Sequence, residues 1–193
     1  MERIVVFCGS NEGSNPHIAE ASYQLGATLA KSGIGLVYGA ARIGLMGLLA
    51  RGALDNNGEV IGVIPEFLKL KEVFHPGLTR LIITKSMHER KLTMHELSDG
   101  VIALPGGFGT LEELFEMITW AQLRLHQKPI GILNIDGFYD ELIAMLEKMV
   151  NLGFLRQENY DLLLIAQTID ELLEKMHAFK PVLRSKWIQK DQL

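Results

Sequence analysis

The sequence holds a single cysteine, Cys8, among 193 residues, so no disulfide can form within the chain. It lacks an apolar run approaching the roughly 20 residues that a helix needs to cross a bilayer, which speaks against a membrane partner. Positive charge is also scarce. Lys and Arg number 19 against 23 Asp and Glu, for a net charge of −4 and a pI near 5.9. No basic field is available to hold a polymeric nucleic acid. The opening stretch MERIVVF shows none of the cationic and apolar blocks of a signal peptide, and with the lone cysteine this predicts a cytoplasmic protein. No metal or cofactor is expected. The six histidines show no H-x-x-x-H or His–carboxylate spacing, and no G-x-G-x-x-G follows the first apolar run, which argues against a dehydrogenase. Internal repeats and low-complexity segments are missing too.

What is present is alternation. Short apolar runs at 3–8, 34–38, 60–64, 81–84, 101–104, 129–133 and 162–165 read as strands. Between most of them stand segments with apolar residues at helical spacing, such as Ile18, Ala21, Ser22, Leu25 and Leu29 before Gly33. The segment holding Glu72, His75 and Pro76 is less regular and is expected to be a surface loop. Strand and helix in this order imply a Rossmann-like α/β fold, a doubly wound parallel sheet with helices on both faces. The length suits one domain over residues 1–193, with 185–193 a polar, loosely held tail.

The centre of the chain is VIALPGGFGTLEELFE, residues 101–116. A buried strand passes through glycines into a helix placed from Thr110 onward, and such a junction offers free backbone N–H groups to an anion. Glu113 has two readings there. Thr110 and Glu113 match a capping box, but Glu112, Glu113 and Glu116 together exceed what one helix end needs, which leaves a carboxylate for a ligand. A second junction, Ser86-Met87-His88-Glu89, is also a capping box and predicts a helix from Met87 to Leu97. Met87, Met94 and Leu97 form its apolar stripe, and Arg90 falls inside it. A guanidinium turned inward needs an anionic partner, which is an internal carboxylate, a ligand or Glu113. Lys91 points along the edge of the same face and can add a second positive charge.

Pro105-Gly106-Gly107-Phe108-Gly109-Thr110 with Glu113 resembles the PGGxGTxxE signature of the LONELY GUY (LOG) family, and Met87-His88-Glu89-Arg90-Lys91 resembles its MHxRK stretch. The likeness extends to Gly44-Leu45-Met46-Gly47 and Ile118-Thr119-Trp120-Ala121-Gln122, leaving the C-terminal quarter unmarked. It implies a Rossmann-like homodimer that hydrolyses the N-glycosidic bond of nucleoside 5′-monophosphates, typically cytokinin ribotides, to free base and ribose 5-phosphate. It further implies Arg90 and Glu113 as the catalytic pair and Gly107, Gly109 and Thr110 as the phosphate holders. Glu72, Met87, Lys91, Gly106, Phe108, Glu112 and Thr119 complete the implied substrate site. One departure stands out: Gly39-Ala40-Ala41 replaces the three glycines of many members, and two added methyl groups are expected to narrow that loop.

The residue chemistry agrees. Cleaving a ribosyl C–N bond builds positive charge on the sugar, and a fixed carboxylate stabilises that charge or activates water. Two other classes compete. A carrier of similar fold would bind the nucleotide without turning it over. A pyridoxal-dependent decarboxylase, the older label of many family members, needs a Schiff-base lysine that the sequence does not display. Cys8 reads as a small core residue rather than a nucleophile. The mostly apolar face of Phe115, Ile118, Ala121 and Leu125, with Met117 and Trp120 beside it, exceeds one core-facing stripe, and so predicts burial against a second copy.

Overall fold

The computed structural model describes residues 1–69 and 74–180. Glu72 and the tail at 185–193 lie outside the described residues. Seven strands form one sheet: β1 (Arg3–Phe7), β2 (Gly35–Tyr38), β3 (Val60–Pro65), β4 (Arg80–Thr84), β5 (Gly100–Ala103), β6 (Ile130–Leu133) and β7 (Leu163–Ala166). All neighbouring pairs are parallel, in the order β4-β3-β2-β1-β5-β6-β7. The helices are α1 (Pro16–Lys31), α2 (Gly44–Asp55), α3 (Glu66–Lys69), α4 (Met87–Glu96), α5 (Phe108–Gln122), α6 (Asp140–Asn151), α7 (Gln157–Tyr160) and α8 (Ile169–Ala178). This is the doubly wound arrangement read from the sequence.

Because helices cover both faces, the strands are continuous apolar runs rather than alternating ones. Ile4 and Val6 of β1 join Leu25, Leu29 and Leu49 on one side of the sheet. Val5 and Phe7 join Met94, Leu114 and Met117 on the other. Each side chain reversal along the strand thus feeds one of two cores.

Three departures from the sequence reading have local causes. Part of the presumed loop after β3 is the short helix α3, a single turn that carries too little periodicity to see. After β6 the chain makes a 3₁₀ turn at Ile135–Gly137, with Asp136 at φ +49° and Gly137 at φ +72°. Most important, α5 starts at Phe108, two residues before the expected Thr110. Gly107 is its N-cap, with extended backbone and no side-chain cap. Thr110 is buried against Gly106, where an added Cβ would strike its hydroxyl. The Thr110–Glu113 capping box therefore does not form.

Strand β1 lies between β2 and β5, so the chain leaves the sheet toward opposite faces on its two sides. A crevice opens there at the carboxyl edge. Its two walls are tied together by Leu104 N–H donating to Phe7 O (2.9 Å) and Gly9 N–H donating to Pro105 O (3.0 Å).

Candidate active site

Helix α4 begins as the sequence predicts. Ser86 Oγ accepts from Glu89 N–H (3.2 Å), and Glu89 Oε2 accepts from Lys85 N–H (2.7 Å). This cap fixes the rotation of the helix and sends Arg90 toward the crevice. Arg90 Nε donates to Val63 O of β3 (3.0 Å), and Nη1 reaches Glu113 Oε1 of α5 at 3.4 Å. Gly39 makes room for it, since a Cβ there would collide with the guanidinium. The two side chains are 11% and 12% exposed.

Burial raises the Glu113 pKa to about 7, even though the Arg90 charge pulls it down. The neighbouring carboxylates of Glu112 and Glu116 push the same way as burial. A carboxyl poised near neutrality can exchange a proton with water at working pH. Cys8 lines the same cavity, but burial raises its thiol pKa, so it remains a neutral side chain and a weak nucleophile.

Arg90 and Glu113 face a cavity of about 310 Å³, bounded on one side by Gly107, Phe108, Gly109 and Thr110. The first amides of α5 have no intrahelical acceptor, and no side chain caps them. An added Cβ on Gly107 or Gly109 would meet nothing within 4 Å, and the Phe108 ring is 93% exposed. The helix start is therefore open to an anion. Neither Ala40 nor Ala41 is among the residues lining this cavity. Ala40 adopts φ +69° with its methyl beside Gly62, and Ala41 pairs with Phe74. The two methyl groups lie in packing rather than across the cavity mouth.

Lys91 follows a different path. Its side chain is 6% exposed, and its ammonium is held by Glu112 and, at 3.0 Å, by Glu116. Burial works to lower its pKa, but the bonds to Glu112 and Glu116 outweigh it and the pKa is raised. The acidic surplus at the start of α5 is thus divided between Lys91 and Arg90. Met87, Lys91, Glu112 and Thr119 line neither this cavity nor its neighbour. Gly106 lines the neighbour, a space of about 490 Å³ that also contains Ser10, Asp136 and Phe138. Gly9, Ser10 and Gly107 border both. Sequence reasoning did not single out Gly39 for the guanidinium, nor Met46, Met94 or Asp136 as cavity residues. The Asp136-Gly137 pair after an apolar run was the one available signal, a turn dipeptide at a strand's carboxyl end.

Residues 46–176 match the family model described as possible lysine decarboxylase. The chain is 48% identical over 177 residues to a probable cytokinin riboside 5′-monophosphate phosphoribohydrolase of Oryza sativa subsp. japonica, covering 92% of this chain and 79% of the relative. It is 43% identical over 179 residues to a cytokinin riboside 5′-monophosphate phosphoribohydrolase of Arabidopsis thaliana, covering 93% and 83%. The chain belongs to this phosphoribohydrolase (LOG) family. Among solved structures it is similar to a molybdenum cofactor binding protein of Rippkaea orientalis, with 26% identity, TM-score 0.70, and coverage of 92% of this chain and 97% of that one. For a LOG-family chain the decarboxylase label fits the site poorly, because among the described residues no lysine lines either cavity and Lys91, nearest in sequence to Arg90, is already held by two carboxylates.

Proposed function

We propose that this chain hydrolyses the N-glycosidic bond of a purine or cytokinin nucleoside 5′-monophosphate, releasing free base and ribose 5-phosphate. Arg90 and Glu113 are the catalytic pair. The observation that carries this reading is a buried carboxyl with its pKa near 7 in the cavity that receives the open start of α5. The 5′-phosphate binds the amides from Phe108 to Thr110, which sets the ribose beside Glu113. As C1′–N cleaves, its electron pair leaves with the base, and water oxygen bonds to C1′. Glu113 takes the proton from that water and later returns it to solvent, and the departing base takes one proton from solvent. Arg90 does not donate a proton, since a guanidinium stays charged. It holds Glu113 in place and limits the rise of its pKa.

The protein acts as a homodimer in the cytoplasm. Support for the dimer comes from α5, where Glu112, Phe115, Thr119 and Leu123 share one face. Thr119 is exposed, as are Phe115 and Leu123. No helix among the described residues is long and apolar enough to cross a membrane, and the buried free thiol of Cys8 suits a reducing compartment.

The test is release of free base from AMP and N6-prenyl-AMP, with adenosine as control. Rapid release from the monophosphates alone is expected. Equal rates on AMP and adenosine would remove the phosphate role of α5, and tight binding without release would favour a carrier.

A further inference from the structure

Helices α4 and α5 carry the two halves of the Arg90–Glu113 pair, yet they are rooted on different strands. Helix α4 packs on β3 and β4, and α5 on β1 and β5, with β2 standing between the two sets in the sheet. Neighbouring strands lie roughly 4.8 Å apart, so the sheet alone leaves a gap between the helices. Side chains bridge it. Besides Arg90 with Glu113, the ion pairs from α4 to α5 among the described residues are Lys91 with Glu112 and Lys91 with Glu116.

The second bridge runs one residue over on each helix, since Lys91 follows Arg90 and Glu112 precedes Glu113. Glu112 and Glu116 stand four residues apart, so they share a face of α5 and repel each other. Lys91 lies between them. Its Nζ is 3.0 Å from Glu116 Oε2, an oxygen that is itself buried, and Glu112 holds it from the more exposed side. Neither Lys91 nor Glu116 lines the cavity that Arg90 and Glu113 face, so within one chain they act on that pair from behind. The charged and titratable groups around Glu113 are then Arg90 and Lys91 from α4, Glu112 and Glu116 from α5, and Cys8 just after β1. Of these, Lys91 draws the Glu113 pKa down and Glu116 pushes it up.

We propose that Glu116 is a positioning residue for the reaction: by seating Lys91 between α4 and α5 it fixes the spacing of the two helices, and with it the approach of Arg90 to Glu113. The inference rests on the hydrolase reading above. Arg90 is tied to β3 through Val63 O, whereas Glu113 accepts from Arg90 alone among the described residues. Where Glu113 stands therefore depends on where α5 stands. A misplacement of about 1 Å at a reacting group can cost on the order of 10²-fold in rate.

Three variants test it, read as kcat and KM across pH on AMP or N6-prenyl-AMP, whichever the parent hydrolyses faster. Glu116→Leu removes the acceptor and should lower kcat roughly tenfold or more while KM stays within about twofold, the split that marks lost placement in the transition state rather than lost binding. Glu116→Gln keeps an oxygen for Lys91 without the charge, and should recover most of that loss. Its acid limb should lie at lower pH than the parent's, because a carboxylate that pushes the Glu113 pKa up is gone. Lys91→Met should also lower kcat, with the limb moved the opposite way, to higher pH. Both Glu116 variants should fold, since that side chain is 22% exposed and leucine and glutamine favour a helix, and they decide the matter if Lys91→Met does not fold. An unchanged kcat in Glu116→Leu, a loss confined to KM, no recovery in Glu116→Gln, or limbs that move together in Glu116→Gln and Lys91→Met would overturn the assignment. If the parent hydrolyses no monophosphate, the hydrolase reading fails by itself. A crystal structure of Glu116→Leu then still decides the placement: the Arg90–Glu113 separation should widen from 3.4 Å, and an unchanged separation overturns it.

Discussion

Glu113 combines a high pKa with a cation only 3.4 Å away, which means burial outweighs the ion pair. Two consequences follow for its variants. In the proposed mechanism ionised Glu113 takes a proton from water, so kcat/KM should fall as pH drops below about 7. Removing the Arg90 charge, as in Arg90→Met, takes away the group that lowers this pKa. The acid limb should then move to higher pH, along with a large loss of rate. A limb that stays in place would mean some other group titrates. For stability the sign is opposite. The folded state holds the Glu113 proton more tightly than the unfolded chain, whose value is near 4.5. Stability contributed by this group is present below 4.5 and is lost as pH rises through 7, on the order of 3 kcal/mol in all. Glu113→Gln should lower turnover on the order of 10²-fold or more, while its melting temperature gains on the unaltered protein from pH 5 to pH 8. Near-normal turnover in this variant would leave the mechanism without its carboxylate.

Helix α5 separates a glycine required by packing from glycines that border open space, which the proposed function gives to the phosphate. At Gly106 a Cβ would strike Thr110 and approach Gly9 N, whereas at Gly107 and Gly109 it would enter open space. Gly109→Ala should therefore fold at least as well as the parent, since Gly109 lies in the helix and alanine favours that state by roughly 1 kcal/mol, while Gly107→Ala replaces a favoured N-cap glycine and should melt slightly lower. The KM of both for the monophosphate should rise at least several-fold, in Gly109→Ala with melting unchanged or higher. Unchanged KM in both would place the phosphate elsewhere. The same helix shows where the sequence is readable. Arg90 betrayed itself by interrupting the stripe of Met87 and Met94, because periodicity is a local property. The start of α5 misled, because a glycine N-cap leaves no side-chain signature while Thr110 and Glu113 happen to match one. Asp136 stayed hidden for a third reason. It meets Asn15 across 121 positions of chain, and the loop that carries it reaches the start of α1 only in the folded sheet.

At the scale of the molecule, the exposed apolar surface near the end of α5 has to be accounted for. Leu123 and Leu125 are 62% and 67% exposed, and Phe115 lies two turns earlier on the side of Leu123. Burying a leucine contributes about 1.5–3 kcal/mol, so two such residues on each of two copies can support a stable two-fold interface. The chain mass of 21.5 kDa makes a dimer twice that, readily resolved by sedimentation. Leu123→Asp with Leu125→Asp should convert a dimer to a 21.5 kDa species without unfolding, because both positions are already exposed within the chain. Activity then distinguishes two kinds of interface. Thr119 and Glu112 lie on the Leu123 face, outside the Arg90 cavity, so they can reach substrate only if the neighbouring copy closes over that face. If they do, the monomeric variant loses turnover even though Arg90, Glu113 and the glycine turn are untouched. A monomer with full turnover would confine the site to one chain and free Thr119 of any role in it. A protein that sediments as a single chain before any substitution would refute the dimer outright.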